Sequence, residues 1–272
     1  MAEEARPLTE DEEREAEERS APRARVVHEA VIKQGEDELE RPTGSLFWSG
    51  LAAGIAIVAS IWAQGGLHQR LPDAPWRELV GGLGYSLGFM IVILGRMQLF
   101  TEQTMVAVLP LAKEPNARNF RRTARLWSIV FAGNVIGAAF MAALCVYAKI
   151  VSPELMGAML DVSGKLLDKN AGEILLQAIP AGFLIASVAW IRSAADDSSG
   201  FWIVLVLTYA IALGGFTHVI AGAAEAFLLF WAGKASLGWV IGTFLIPALI
   251  GNIIGGTGLF AMLAHAQVKE EI

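Results

Sequence analysis

The chain has 272 residues, of which 54% are hydrophobic and only 18% are charged. Its formal net charge of −6 sits at one end, because residues 1–43 hold 14 acidic and 7 basic side chains and the remainder is nearly neutral. A single cysteine, Cys145, lies in an apolar run, which excludes an internal disulfide and a multi-cysteine metal site.

Residues 1–43 form a predicted acidic tail, distinct from the apolar residues 44–268 that follow. The segment TEDEEREAEERS (9–20) mixes charges with good helix formers, so an exposed helix with i,i+4 pairs and a solvated, unordered chain both fit. Residues 28–42 have the pattern of a short amphipathic helix at a membrane surface. The charged N-terminus lacks an apolar signal-peptide core, and we therefore expect no cleavable leader.

Apolar stretches with few or no charges recur after the tail. Crossing a hydrocarbon core of about 30 Å takes about 20 apolar residues, and several of the stretches reach that length. This pattern predicts a membrane protein with several spans. The stretches are 45–63, 79–95, 126–148, 174–191, 200–216, 219–233 and 235–264.

Two longer regions, residues 79–112 and 200–232, do not fit one straight span each. At about 1.5 Å per residue each would be about 50 Å long. Each contains a polar, glycine-bearing patch, GRMQLFTEQT (95–104) in the first and GGFTHVIAG (214–222) in the second. Length alone also fits a tilted helix that runs on into water. A helix broken at mid-membrane explains the patch as well, provided that the freed backbone groups are buried or line a cavity.

An internal repeat favours the broken helices. LFTE (99–102) aligns with GFTH (215–218) at an offset of 116 residues, and GNVIGA (133–138) aligns with GNIIGG (251–256) at an offset of 118. Each half then has three spans, of which the middle one is broken, and the whole chain has six. Because three is an odd number of membrane crossings, the second half must be inverted relative to the first. Inverted repeats with paired broken helices are a transporter design with the substrate site near the midplane. The sequence therefore predicts an all-α membrane protein that is a pore or a carrier.

The basic residues predict the orientation. Residues 113–125 carry one acidic residue and five basic ones, whereas the other loops carry fewer basic residues. The positive-inside rule places this loop, both termini and residues 192–199 in the cytoplasm. The five basic residues are Lys113, Arg118, Arg121, Arg122 and Arg125.

The breaks carry the candidate binding groups. A half-helix that starts at mid-membrane directs free N–H groups and a positive dipole end into the cavity, which attracts anions. Thr101 and Thr217 are the expected N-caps of the two half-helices. His218 is the only histidine at a break, and an ionisable group inside a membrane usually marks a transport pathway or proton relay. An imidazole can donate a hydrogen bond to an anion or exchange a proton with it near neutral pH.

At these residues the chain resembles the formate/nitrite transporter family, the pentameric, aquaporin-like channels for small monovalent anions. The resemblance covers roughly residues 44–266 and rests on SLGF and LFT in the second span, GN in the third, GGFTH in the fifth and GNIIGG in the sixth. It implies an aquaporin-like six-span bundle, a homopentamer with one pore per subunit, and a place in a bacterial-type inner membrane.

The resemblance also implies roles for particular residues. A formate-like anion is expected to be protonated in the dry section and to pass as the neutral acid, because a bare anion carries a large desolvation cost. The residues expected at the pore centre are Leu99, Phe100, Thr101 and His218. The expected apolar constrictions fall on Tyr85, Phe89 and Ile211. The pore-associated asparagine falls on Asn252, and Asn134 is its repeat mate.

The sequence departs from the family pattern at several positions. Thr217 stands where well-known members have glutamate, and Gly182 stands where they have asparagine. Arg96, Glu102 and Glu225 add charges to the broken spans, and we interpret them as charge modulators of the pore. An ion pair between Arg96 and Glu225 is one hypothesis for two of these charges.

Three functions are compared. The leading one is a pore for a small monovalent anion or its weak acid, with formate, nitrite or hydrosulfide and protons as the expected partners in a lipid bilayer. A neutral-solute channel of aquaporin type is disfavoured because the Asn-Pro-Ala signature is absent. In a non-conducting scaffold or sensor, Arg96 and Glu102 would close the pore, and the acidic tail would carry the function. No enzyme, cofactor, metal or nucleic-acid partner is expected, since nucleophile–base pairs, metal clusters and nucleotide loops are lacking in the sequence.

Overall fold

The protein is helical throughout its described part. In this computed structural model residues 9–12, 14 and 21–271 are described, and no strand occurs among them. Most of the predicted tail segment 9–20 lies outside the described residues. The helices are α1 (Ala24–Glu40), α2 (Thr43–Ala56), α3 (Ala59–His68), α4 (Arg77–Leu94), α5 (Phe100–Val106), α6 (Leu109–Lys113), α7 (Ala117–Tyr147), α8 (Pro153–Gly164), α9 (Ala171–Ala194), α10 (Gly200–Leu213), α11 (Val219–Trp231), α12 (Ile246–Ile253) and α13 (Met262–Ala266).

These helices form six spans. Five helical segments are long and apolar enough to cross a membrane: Thr43–His68, Arg77–Leu94, Ala117–Tyr147, Ala171–Ala194 and Trp239–Ala266. The fifth span in chain order consists of two shorter apolar helices, α10 and α11. The last span is wound as a π-helix at Trp239–Leu245 and again at Ile254–Ala261, on either side of α12.

The second and fifth spans are both broken, as predicted. In the second span α4 ends at Leu94, and Arg96 adopts a left-handed backbone with φ of 57°. In the fifth span α10 ends at Leu213, and Gly215 has φ of 61°. Each turn also has a hydrogen bond from a backbone N–H to the carbonyl oxygen five residues earlier. This arrangement ends a helix and redirects the chain. The chain then returns into the bundle, and α5 and α11 begin there.

Close packing of the spans depends on glycines that face backbone. A Cβ atom at Gly54 in the first span would overlap the carbonyl oxygen of Asn134 in the third, and one at Gly182 in the fourth would overlap the carbonyl oxygen of Asn252 in the sixth. Gly182 thus contacts backbone at the position that the resemblance aligns with an asparagine of the family. Small residues permit this approach of helices in a membrane.

Helix α1 packs against α6 and α9 through one apolar face. Val31 and Leu39 are buried on that face. The polar side is tied to the first turns of the third span, because Arg125 donates to the carbonyl oxygen of Leu39 at 2.9 Å and Arg122 pairs with Glu36 at 2.8 Å. The predicted amphipathic segment is thus part of a helix that contacts the bundle.

Candidate functional site

The two breaks meet in the middle of the bundle. The Oγ1 atom of Thr101 and the Nε2 atom of His218 are 2.6 Å apart, although the residues are 117 positions apart in the chain. Both side chains are buried, with exposed fractions of 0% and 1%. Sequence motifs of the two half-repeats thus contribute one residue each to a single hydrogen bond.

The hydrogen bond from Ala221 determines which nitrogen of His218 carries the proton. The backbone N–H of Ala221 donates to Nδ1 of His218 at 3.1 Å, and Nδ1 must therefore be an unprotonated acceptor. A neutral ring then carries its hydrogen on Nε2 and donates it to Thr101 Oγ1. The hydroxyl hydrogen of Thr101 is left free to donate to another group. The centre of the bundle is in this way arranged to offer a hydrogen bond to an acceptor.

Asn134 and Asn252 hold the two half-helices in equivalent ways. Oδ1 of Asn134 accepts from the backbone N–H of Phe100 at 2.9 Å, and Oδ1 of Asn252 accepts from that of Val219 at 2.8 Å. The Nδ2 group of Asn134 donates to the carbonyl oxygens of Gln98 and Gly50, and that of Asn252 to the carbonyl oxygens of Thr217 and Ala178. Both side chains are fully buried. Each asparagine thus satisfies backbone groups that the break would otherwise leave unpaired.

The predicted threonine N-caps were wrong. Helix α5 begins at Phe100, before Thr101, and its N-cap residue is Leu99. Helix α11 begins at Val219 with His218 as its N-cap, and Oγ1 of Thr217 has no partner in the described part of the chain. The physical reason is that other side chains supply the acceptors: Asn134 and Asn252 accept the first N–H of each half-helix, and Nδ1 of His218 accepts the N–H of Ala221. Thr101 is consequently free to face His218.

Aromatic rings line one side of the central pair. The ring centroids of Phe89 and His218 are 4.8 Å apart, and those of Tyr85 and Phe89 are 5.1 Å apart. Ile211 is also buried in this core. Phe100 packs edge-to-face against Phe131 at 5.1 Å, which places its ring against the third span. Leu99 is fully buried. Of the predicted constriction residues, Phe89 is in direct contact with the central histidine.

Two cavities lie at opposite ends of α4. The Glu225 cavity, of about 200 Å³, is lined by Tyr85, Lys169 and Glu225 among others. The Arg96 cavity, of about 130 Å³, is lined by Arg96, Glu102 and Arg192 among others. Helix α4 supplies Arg77 and Tyr85 to the first cavity, and Arg96 follows its last turn.

Arg96 and Glu225 therefore do not form the hypothesised ion pair. They lie in cavities separated by most of an 18-residue helix, about 27 Å in length. The charge modulators instead divide between the two cavities, Arg96 with Glu102 in one and Glu225 in the other.

Two cations next to the breaks were missed by sequence reasoning. Nζ of Lys169 donates to the carbonyl oxygen of Gly215 at 2.9 Å, and Nη1 of Arg192 donates to that of Ile93 at 3.2 Å. Each cation satisfies a carbonyl at the C-terminal end of a half-helix, where a positive charge is favoured. Burial lowers the pKa of Lys169, and the carboxylates of Glu225 and Glu173 oppose that shift. Both residues lie where a loop meets a span, so local sequence carries no signal of their contacts.

A histidine pair was also missed. Nε2 of His28 in α1 and Nδ1 of His265 in α13 are 3.1 Å apart, and His28 is fully buried. Nδ1 of His28 has no hydrogen-bond partner in the described residues. Within the same residues, no three histidine, cysteine or acidic side chains come together as a metal site.

Comparisons with known proteins identify the family of this chain. The model of the formate/nitrite transporter family matches residues 25–266. The chain is 37% identical to the inner membrane protein YfdC of Escherichia coli over 94% of this chain and 82% of that protein. It is 24% identical to the formate channel BtFdhC of Bacillus thuringiensis over 89% of this chain and 94% of that protein. These relatives are membrane proteins, and the family's members are transporters.

A solved structure has the same fold. A pentameric formate channel with formate bound superposes with a TM-score of 0.71 at 20% identity, over 84% of this chain and 98% of that chain. This match confirms the predicted aquaporin-like bundle of six spans. The length of the family match, together with the identity to YfdC, settles the classification: the chain belongs to the formate/nitrite transporter family.

Proposed function

We propose that the protein is a transmembrane channel that carries a small monovalent anion together with a proton, so that the permeating species is the weak acid. Family membership supports a channel for small anions. Formate, nitrite and hydrosulfide are the candidate substrates, since each has a protonated neutral form. The protein acts as a homopentamer with one pore per subunit, a proposal supported by the pentameric formate channel that shares its fold.

The hydrogen bond between Thr101 and His218 carries this proposal. It lies at the meeting point of the two breaks, beside the Phe89 ring. The Nε2–H of His218 orients the Thr101 hydroxyl, whose own hydrogen donates to an oxygen or sulfur atom of the permeating group. An oxygen of formic or nitrous acid, or the sulfur of hydrogen sulfide, is such an acceptor. A cation is disfavoured because the centre offers donors.

The apolar rings require the permeating group to be neutral. Tyr85 and Phe89 stand between the Glu225 cavity and His218. Lys169 attracts the anion into that cavity, but an unpaired charge that leaves water for an apolar passage meets a large free-energy cost. Protonation removes most of that cost, and uptake should therefore be faster at acidic pH.

The orientation and location follow from the distribution of charge. By the positive-inside rule, Lys113 at the end of α6 and the four arginines in the first three turns of α7 favour a cytoplasmic position for this region, the tail 1–43 and both termini. The Glu225 cavity then opens outward and the Arg96 cavity opens inward. A bacterial inner membrane is the proposed location, supported by the E. coli relative.

Uptake into proteoliposomes tests the function. Formate, nitrite and hydrosulfide would be offered at about pH 5.5 and about pH 7.5, on either side of the ordinary histidine pKa. We expect faster uptake at the lower pH and a loss of about two- to tenfold in Thr101→Val, since one hydrogen bond to a neutral acceptor is worth about 0.5–1.5 kcal/mol. Thr208→Val is the matched control, because Thr208 bonds only within its own helix.

Other outcomes point to the competing functions. Passage of an uncharged solute such as glycerol, without passage of any anion, would identify a neutral-solute channel. Well-folded pentamers that pass none of these solutes would indicate the scaffold or sensor, and attention would move to the acidic tail.

A further inference from the structure

Glu225 lies further along the axis of α11 than His218, toward the Glu225 cavity, and on the same face of the helix. The two residues are seven positions apart in α11, which is two turns and about 10 Å along the axis. On the facing helix α4, Tyr85 lines the cavity with Glu225, and Phe89, one turn further, contacts His218. An anion that enters through this cavity therefore passes Glu225 before it meets the apolar section.

The Glu225 carboxyl is not engaged by the protein. Glu78, the other carboxyl group that lines the cavity, is bound to Nζ of Lys165 at 2.6 Å. Glu225 makes no hydrogen bond and no ion pair within 4.0 Å in the described part of the chain. Lys169 is nearby, but its ammonium group is tied to the carbonyl oxygen of Gly215. Glu225 is only partly exposed and faces the cavity, so its carboxyl can contact a solute there.

The central histidine is poorly placed to supply a proton. Its Nδ1 atom accepts the N–H of Ala221, and its Nε2–H donates to Thr101. To gain a second proton the ring would have to give up the cap of α11. To lose Nε2–H it would have to become an imidazolate. Both steps are unfavourable, and the proton that neutralises the anion must come from another group.

From this arrangement we infer that Glu225 is the proton donor of the channel, the group that neutralises the anion before it enters the apolar section. The inference rests on the proposed function, since it specifies how the anion becomes a weak acid. The anion accepts the carboxyl proton of Glu225 while the Lys169 ammonium holds it. An O–H bond of Glu225 breaks and an O–H or S–H bond of the acid forms. External water then returns a proton to the carboxylate, and one anion and one proton have moved together.

The charged groups around Glu225 are compatible with this cycle. Lys165 and Lys169 from the loop before α9 face it, and Arg77, Glu78 and His68 line the same cavity. Lys165 is neutralised by Glu78, and Arg77 is bonded to the carbonyl oxygen of Pro72. Glu173 lies near Lys169. Helix α7 carries its charges at Arg118–Arg125, near its other end, and the last span has no charged residue between 235 and 264. Lys169 is thus the cation that acts with Glu225.

The arrangement also defines a substrate class. An anion is neutralised by a carboxylic acid only if its own conjugate acid is of similar or lower strength. Formate, acetate, nitrite and hydrosulfide meet this condition, whereas chloride and nitrate do not. We expect the channel to discriminate by basicity more than by size within the limit set by the aromatic rings.

Proton-coupled uptake tests the inference. Formate uptake would be followed with a pH-sensitive dye inside the vesicles, for wild type, Glu225→Gln and Glu225→Asp. Wild type should take up one proton per formate, and Glu225→Gln should lose about 10²-fold in rate at acidic pH, the low end of the effect of a positioned acid. Glu225→Asp should keep a pH-dependent rate. Glu78→Gln is the control, because it removes a carboxyl of the same cavity that is already paired.

Two results would overturn the inference. The first is a Glu225→Gln channel with an unchanged pH profile and proton stoichiometry. The second is a uniform rise in rate at every pH, which would mean that Glu225 only repels anions. If Thr101→Val transports formate at the normal rate and Glu225→Gln does not, the proposed role of the Thr101 hydroxyl is refuted. The role of Glu225 as proton donor is then retained.

A spectroscopic titration tests the protonation of Glu225 even if the protein does not transport formate. Infrared difference spectra of purified pentamers would be recorded as pH is varied. A protonated carboxyl band that titrates in wild type and in Glu78→Gln, but is missing from Glu225→Gln, supports an exchangeable proton on Glu225. The absence of such a band from wild type would overturn the inference whatever the flux.

Discussion

Asn134 and Asn252 hold the same position in the two halves of the protein: each accepts the first free N–H of a half-helix and donates to the carbonyl of the residue two positions earlier. The accepting bonds are 2.9 Å and 2.8 Å long, to Phe100 and Val219. A helix broken inside a membrane is tolerated only if its freed backbone groups find partners. These two side chains provide them, and the central hydrogen bond between Thr101 and His218 depends on the positions that result.

Replacement of Asn252 with leucine should therefore destabilise the protein. It leaves the N–H of Val219 and the carbonyl of Thr217 unpaired and buried, and each such group costs about 1–3 kcal/mol. We expect a clear fall in the thermal midpoint of the detergent-solubilised protein, followed by size-exclusion chromatography after heating.

Asn116→Ala is the control for this experiment. Asn116 caps α7 at its exposed start through one bond to Asn119, and its loss should cost only about 1 kcal/mol. Equal midpoints for Asn252→Leu and wild type would show that the break is held by other contacts.

Lys169→Met should weaken substrate capture. The ammonium group lies at the Glu225 cavity, where a unit charge near an anion is worth about 1 kcal/mol in water-like surroundings. This corresponds to about a fivefold rise in the KM for formate, with a smaller effect on the maximal rate. The concentration dependence of uptake measures both. Lys234→Met, an exposed lysine that does not line the cavity, should leave KM unchanged.

Docking of α1 should weaken in acid because of His28. Burial, together with neighbouring His265 and Lys113, lowers the pKa of His28, and Glu29 opposes the shift. An undocked His28 has the ordinary pKa of about 6.5. Above that pH both states are neutral and pH has no effect. As pH falls below it, the undocked segment binds a proton that the docked one does not, so docking loses stability.

Hydrogen exchange along α1 measures this effect. Exchange should accelerate below about pH 6.5, by at most about tenfold per pH unit for one proton after correction for intrinsic rates. His28→Phe should remove the additional acceleration, and His68→Phe, at the C-terminal end of α3 beside the Glu225 cavity, should preserve it. A His28→Phe protein with the same pH profile as wild type would contradict the prediction.

The two left-handed residues at the breaks should respond in opposite ways to substitution. Arg96 has φ of 57° and Gly215 has φ of 61°, a region that costs a residue with a Cβ atom about 1–2 kcal/mol. Arg96→Gly should leave the thermal midpoint unchanged or raise it, because relief of strain offsets the greater freedom of glycine in the unfolded state. Gly215→Ala should lower stability by about 1 kcal/mol. A strong loss in Arg96→Gly would mean that the guanidinium group stabilises this turn.

Much of the architecture was accessible from the sequence because its causes are local. The length and apolarity of each run predicted the spans, and the excess length of residues 79–112 and 200–232 predicted the breaks. The repeated LFTE/GFTH and GNVIGA/GNIIGG pairs predicted two halves, and the resemblance to the formate/nitrite transporter family implied that Thr101 and His218 meet at the pore centre. Their contact at 2.6 Å agrees with that expectation.

The partners of each group were decided only by the tertiary structure. Asn134 reaches Phe100 across 34 residues, His28 reaches His265 across 237, and Lys169 reaches Gly215 across 46. By sequence alone, Thr101 fitted the role of a local N-cap as well as that of a partner of His218. An ion pair between Arg96 and Glu225 was likewise compatible with the sequence. Hydropathy determines which residues enter the membrane, but the depth and rotation of each helix determine which side chains meet, and these follow from close packing of all six spans together.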